Sequence, residues 1–122
     1  MNKPSILVVD DSTTNVVLME AILEGRGYRI NSAMNVRDAI RCLEKNMPDL
    51  ILLDLLMPKV SGFEFLEQLR GNEKTRNMPV IVISAISDEE NRNRTLKLGA
   101  LDYITKPVDI QYLVDCVART LQ

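Results

Sequence analysis

Short apolar runs alternate with stretches of helical period along the whole chain. Runs of strand length stand near 5–10, 28–33, 49–54, 79–84 and 101–105; apolar positions at helical spacing fill 13–25, 36–46, 61–71, 88–98 and 109–121. Strict strand–helix alternation calls for right-handed crossovers, so the pattern predicts a (βα)5 α/β domain: five parallel strands, doubly wound, with helices on both faces. The runs at 6–9, 50–53 and 80–83 are apolar without interruption, as strands buried on both faces must be. The second run alternates Tyr28, Ile30 and Ser32, and the fifth contains Asp102, so strands two and five are the expected edges. The order 2-1-3-4-5 meets that condition. It puts the topological switch point between strands one and three, where a ligand binds at the carboxyl ends.

Local signals set the boundaries. Asn35 with Asp38 opens helix two, whose Val36, Ala39, Ile40 and Leu43 form a core stripe, and Ser87 with Glu90 fits a capping box for helix four. Gly25, Gly71 and Gly99 stand where helices one, three and four should stop. Between residues 16 and 23 of helix one only Glu20 is polar, more apolar surface than a core stripe needs. Leu18 and Ile22 are expected in the core. Helix four is the opposite: 88–94 is wholly polar and only Leu96 and Leu98 are apolar, which predicts a weakly tethered element. Helix five has a firm stripe at Ile110, Leu113, Val114, Val117 and Leu121, with Tyr112 and Cys116 beside it as candidates for a homodimer or partner contact.

Composition narrows the classes. A chain of 122 residues with 46% hydrophobic residues reads as a single domain over 1–122 that can bury a continuous core. A formal net charge of −2 supplies no basic field for direct nucleic-acid or anionic-lipid binding. Apolar runs too short for a membrane span, and an N-terminus that enters a strand without a cleavage site, predict a cytoplasmic protein. Cys42 and Cys116, isolated in helical segments, form neither a disulfide framework nor a metal-knuckle spacing and read as helix packing.

The polar residues that end the strands carry the chemistry. Asp10 and Asp11 follow strand one, Asp54 ends strand three, Ser84 ends strand four and Lys106 follows strand five. Taken singly, each has a plain reading as turn former, cap or solvated surface. Their coincidence at the carboxyl ends of one sheet is what points to a site. Two like unit charges about 4 Å apart repel by roughly 4 kcal/mol at an effective dielectric of about 20, so three carboxylates there need a cation among them. Mg²⁺, which takes oxygen ligands, keeps several waters and shares ligands with phosphate, suits so few carboxylates. With Lys106 also neutralising charge, one carboxylate can attack phosphorus, and Ser84 can donate a hydrogen bond to the transferred group. Asp54, alone at the end of a central strand and followed by a loop with Pro58 and Gly62, is the candidate nucleophile; the adjacent Asp10 and Asp11 are better placed to hold metal.

From about residue 5 to 121 the chain resembles the CheY-like receiver domain of two-component response regulators, whose fold is flavodoxin-like. The matching segments are Val8-Val9-Asp10-Asp11-Ser12, Asp54-Leu55-Leu56-Met57-Pro58 with Gly62, Ser84-Ala85, and the stretch from Gly99 through Asp102-Tyr103-Ile104-Thr105-Lys106 to Pro107. The resemblance implies a phosphoacceptor at Asp54. It implies direct Mg²⁺ ligation by Asp11, with Asp10 helping directly or through water, Asp54 in the shell, and the backbone carbonyl of Leu56 completing it. Lys106 would pair with a phosphoryl oxygen, and its bond to Pro107 would be cis. A sensor histidine kinase or a histidine phosphotransfer domain would supply the phosphoryl group, with small acyl phosphates as substitutes. Ser84 would then move toward the phosphoryl group and Tyr103 turn inward, changing the surface of helix four, strand five and helix five that an output domain or partner reads. Such a domain is not an enzyme in the ordinary sense; it catalyses its own phosphorylation and slow dephosphorylation.

Further expectations rest on the resemblance. Leu56 and Ile86 are apolar where many family members carry polar side chains near the hydrolytic water, which predicts a long-lived phosphoryl group. Val16 and Val17 fall near the rim where such domains dock phosphodonor helices; deep burial of helix one is the alternative. Two rival classes fit less well. An aspartyl phosphohydrolase usually has a second Asp two residues after its nucleophile, where Leu56 stands, and a flavin site would set its phosphate against Asp10 and Asp11 with no aromatics to sandwich the ring. A receiver that is never phosphorylated commonly lacks one of the five polar residues, all of which are present.

Overall fold

The computed structural model describes residues 3–57, 61–85 and 88–122. Strands β1 (Ser5–Val9), β2 (Arg29–Ala33), β3 (Leu50–Asp54), β4 (Val80–Ser84) and β5 (Asp102–Thr105) alternate with helices α1 (Thr13–Glu24), α2 (Val36–Lys45), α3 (Gly62–Gly71), α4 (Glu89–Lys97) and α5 (Ile110–Thr120). The strands are parallel in the order β2-β1-β3-β4-β5, as the burial pattern predicted. Every residue of β3 and β4 is buried, whereas most of β2 is exposed or half-buried.

Alternation of side chains across the pleat divides the core in two. Leu7, Val9, Ile51, Leu53, Val80 and Val82 pack with Val36 and Ala39 of α2 and Phe65, Leu66 and Leu69 of α3. Ile6, Val8, Leu50, Leu52, Ile81 and Ile83 pack on the other face with Val16, Met19 and Leu23 of α1 and Leu113, Cys116 and Val117 of α5. The central strands need apolar residues at every position because both layers press on them. No helix among the described residues is long and apolar enough to cross a membrane.

Each helix opens on a side-chain cap, Ser12, Asn35, Ser61, Asp88 and Asp109, worth about 1 kcal/mol apiece. The cap of α4 is Asp88, which accepts from the Asn91 amide, rather than the expected Ser87, a residue outside those described. Turn one of the α1 exit reaches positive φ at Gly27, not Gly25, while Gly99 does adopt φ +85° after α4. In α2 the stripe narrows to Val36 and Ala39, with Leu43 half-buried and Ile40 partly exposed.

Two helices differ from expectation in ways that bear on function. In α1 the buried positions are Val16, Met19 and Leu23, so Leu18 is exposed at 45% and Val16 is buried at 5%. The roles expected of them are exchanged. A nearly continuous apolar segment does not show which arc faces inward; the angle at which α1 meets the sheet does. Helix α4 buries only Thr95, as its polarity implied, yet it is tied down by arginines. Arg94 pairs with Glu67 at 3.1 Å and lies 4.2 Å above the Phe63 ring, linking α4 to α3.

Candidate functional site

The site forms where β1 and β3 end side by side. Both strands are pinned between two apolar layers, so Asp10 and Asp54 emerge from the core with little freedom and are themselves buried at 6% and 5%. The Asp10 amide continues the ladder to the Ala33 carbonyl at 3.0 Å. Its carboxylate then turns back: Oδ1 accepts from the Ser12 amide at 2.9 Å, and Oδ2 from Asn15 Nδ2 at 3.3 Å. Asp54 Oδ1 accepts from the Leu56 amide at 3.2 Å. Asp11 is exposed, and one carboxylate oxygen from each of Asp10, Asp11 and Asp54 lies within 4.8 Å of the others.

Lys106 reaches this cluster from the far side of β4. Its Nζ stands 3.5 Å from Asp10 Oδ2 and 3.5 Å from Asp54 Oδ2. Its backbone amide donates to the Ser84 carbonyl at 2.9 Å, and its bond to Pro107 is cis. Ser84 is wholly buried at the end of β4, the neighbour of β3. Behind Asp54 the first turn of α3 abuts the strand: the Gly62 amide donates to the Leu55 carbonyl at 2.9 Å.

The Asp54 carboxyl is raised above the usual carboxylate range. Burial is the largest cause, and the charges of Asp10 and Asp11 add to it; the Leu56 amide and Lys106 pull the other way without cancelling them. One ammonium therefore does not neutralise three carboxylates. An all-oxygen anionic donor set, two members buried and one open to solvent, fits a hard divalent ion such as Mg²⁺.

Asp10, Asp11, Asp54 and Lys106 thus meet as the strand ends predicted, with Ser84 on the adjoining strand. Leu56 contributes its amide to Asp54, and its side chain is exposed at the rim. Tyr103, expected to turn inward only on phosphorylation, is already buried at 4% in the layer that holds Val80, Val82 and Ala100. Of the proposed docking pair, Val17 is exposed at 58% and Val16 is core, so the apolar surface of α1 is formed by Val17 and Leu18. Pro58 and Ile86 lie outside the described residues. Asn15 and Arg70 carry contacts that periodicity does not show: Asn15 holds Asp10, and Arg70 donates to the carbonyls of Thr75, Arg76, Met78, Leu98 and Gly99. The only trace of the first was its spacing after the acidic pair.

Known proteins resemble this chain in sequence and fold. The family model for the response regulator receiver domain matches residues 6–118. The response regulator PleD of Caulobacter vibrioides is 40% identical over 85% of this chain, and Protein PilH of Pseudomonas aeruginosa is 34% identical over 95% of this chain and 96% of its own length. The phosphate regulon transcriptional regulatory protein PhoB of Escherichia coli is 39% identical over 89%. The chain spans 23% of the length of PleD and 48% of PhoB. Among solved structures, the signal receiver domain of a signal transduction histidine kinase from Syntrophus aciditrophicus superposes with a TM-score of 0.88 at 39% identity, covering 97% of this chain and 89% of that one. A putative response regulator from Chloroflexus aurantiacus gives 0.92 at 30% identity, covering 98% of both. With strand order, acidic cluster and relatives in agreement, the chain belongs to the response regulator receiver domain family of two-component systems.

Proposed function

We propose that this domain is a phosphoacceptor switch in which Asp54 takes a phosphoryl group from a histidine kinase or histidine phosphotransfer protein. The observation that carries the reading is Lys106 Nζ, 3.5 Å from both the Asp10 and the Asp54 carboxylates, beside three acidic oxygens within 4.8 Å. An Asp54 oxygen forms the new P–O bond as the P–N bond to the donor imidazole breaks; the imidazole keeps the electron pair and takes a proton from solvent. The Leu56 amide holds Asp54 Oδ1 in place during attack. Lys106 offers its charge to the phosphoryl oxygens, and Asp10 and Asp11, with Asp54 and the Leu56 carbonyl, would hold Mg²⁺. Bound there, Mg²⁺ supplies the positive charge that lets an anionic nucleophile meet an anionic phosphoryl group.

The acyl phosphate carries about −1.5 to −2 charges, if it behaves as other protein phosphates do, in place of the single negative charge of the carboxylate. Ser84 and Tyr103, on neighbouring strands, carry that change to α4, β5 and α5, shifting the population of a two-state surface. An output domain or a downstream protein reads it, in the same polypeptide or another; PhoB and PleD, with much longer chains, are named as regulators. A homodimer through the same surface is one form such a readout takes. Leu56, apolar and exposed beside Asp54, favours slow autodephosphorylation.

Labelling with acetyl phosphate tests the reading. Stoichiometric, Mg²⁺-dependent phosphorylation that vanishes in Asp54→Ala and in EDTA is expected. Undiminished labelling of Asp54→Ala would overturn it.

A further inference from the structure

Asp10 is held by more groups than a metal ligand requires. Its Oδ1 is taken by the Ser12 amide at 2.9 Å, and its Oδ2 is shared between Asn15 Nδ2 at 3.3 Å and Lys106 Nζ at 3.5 Å. Lys106 is itself divided, since Asp54 Oδ2 lies at the same 3.5 Å. Asn15 sits half-buried in the first turn of α1, and its own amide donates to Ser12 Oγ at 3.3 Å, so the side chain is launched from a capped, ordered position.

This geometry raises a difficulty for Lys106. To pair with a phosphoryl group on Asp54 it gives up Asp10 Oδ2, and although the Ser12 amide and the proposed Mg²⁺ still meet the carboxylate, the buried Oδ2 position that Lys106 leaves is costly without another donor. Asn15 supplies that donor on the same oxygen. Building on the phosphoacceptor reading above, we infer that Asn15 is a positioning residue: it keeps Asp10 Oδ2 hydrogen-bonded and so releases Lys106 to the phosphoryl group. Being neutral, the amide satisfies Asp10 without competing for the incoming phosphoryl charge, and being fixed to α1 it does not follow Lys106. A second lysine would satisfy Asp10 but would compete for the phosphoryl charge.

The test compares Asn15→Leu, nearly isosteric but without the donor, and Asn15→Gln, which keeps an amide, in the wild-type and Lys106→Ala backgrounds. Acetyl phosphate labelling rate, Mg²⁺ affinity by calorimetry and thermal midpoint are read in each. Asn15→Leu should slow labelling about tenfold, the effect of one hydrogen bond to a charged group. Mg²⁺ affinity should change by less than about threefold, because Ser12 still orients Asp10. Asn15→Gln should recover part of the rate. In Lys106→Ala the Asn15→Leu change should have almost no further effect, since there is no ammonium left to release. Additive losses in the two backgrounds, or a rate loss explained by a fallen thermal midpoint, would overturn the inference, as would wild-type rates in Asn15→Leu. Loss of the Asp54 dependence of labelling would instead sink the phosphoacceptor reading itself.

Discussion

Gly62 lies against the backbone of Asp54: a Cβ at Gly62 would stand 2.6 Å from the Asp54 carbonyl oxygen and 2.6 Å from Leu55 Cα. Both neighbours are backbone at the end of β3, a strand buried on both faces, and Leu55 is itself buried, so neither can give way cheaply. The absence of a side chain at the start of α3 is what lets that helix press on the end of β3 and hold the strand that presents Asp54. Gly62→Ala should therefore destabilise the domain by about 1–3 kcal/mol in urea unfolding, the usual range for overpacking, and slow acetyl phosphate labelling as well. An unchanged labelling rate would show that Asp54 does not depend on this contact.

The raised Asp54 carboxyl predicts a stability gain on neutralisation. A carboxyl whose folded value lies above its unfolded one costs stability above the folded value, and the cost disappears as pH falls below the unfolded value. In EDTA at neutral pH, Asp54→Asn should be more stable than wild type, with the gain lost as pH falls below the ordinary aspartate value of about 4. Mg²⁺ should reverse the order. At about 100 times its dissociation constant it stabilises a binding fold by about 2.7 kcal/mol, and the variant should gain less. Chemical denaturation across pH, with and without Mg²⁺, reads both effects.

Arg70 fastens the lower end of α4. Its Nε donates to the Leu98 carbonyl at 2.7 Å and its terminal nitrogens to the carbonyls of Met78 at 2.8 Å, Arg76 at 3.0 Å and Gly99 at 3.2 Å. A planar guanidinium can meet these diverging carbonyls together, whereas an ammonium cannot. Arg70→Ala should cost on the order of 2–3 kcal/mol, and Arg70→Lys should recover less than half of it. Amide exchange at the carboxyl end of α4 should quicken in both, which hydrogen-exchange NMR measures.

The proposed output surface carries an internal lock between β5 and α5. Burial would raise the Asp102 carboxyl, but the bonds it accepts from the Tyr112 hydroxyl, the Tyr103 amide and the Cys116 thiol, with the charge of Arg92, outweigh it and leave the carboxyl lowered. The bond to Asp102, then burial and the nearby charge, push the Tyr112 phenol up to about 12. The lock's contribution is present below the ordinary tyrosine value and fades as pH rises through about 12; on the acid side it fades as pH falls through the lowered Asp102 value. Spectrophotometric titration should show Asp102→Asn bringing one phenol back toward its ordinary value, a change absent from the Tyr112→Phe background. A titration curve unaltered by Asp102→Asn would refute the lock.

Burial separates the two valines of α1. Val17→Asp should slow transfer from a cognate phosphohistidine donor while sparing acetyl phosphate labelling, since the side chain projects from the surface. Val16→Asp should instead unfold or strongly destabilise the domain by placing a charge in the core. Equal losses with both phosphodonors in a folded Val17→Asp would count against docking on this face.

Much of the site was legible because it lies where strands end. An apolar run that stops at Asp10, at Asp54 or at Ser84 marks both the strand and the residue presented at its tip, and parallel order brings the tips together. Asn15, Arg70 and Arg94 were less visible, since long polar side chains on helices look alike in sequence whether they face water or bridge two elements. That Asp88 caps α4 was not legible, because Ser87 and Asp88 are adjacent residues with similar capping chemistry.

The sequence by itself determined the alternation of elements, the strand order and the acidic cluster, because periodicity and two-sided burial leave few ways to arrange five such strands. Tertiary structure decided which arc of α1 is core, that Tyr103 is already buried, that Lys106 stands between Asp10 and Asp54, and that arginines anchor a helix with almost no apolar residues. Those features depend on the relative placement of elements far apart in the chain, to within an ångström or so. Local pattern specifies what each segment is; only packing specifies the distances between them.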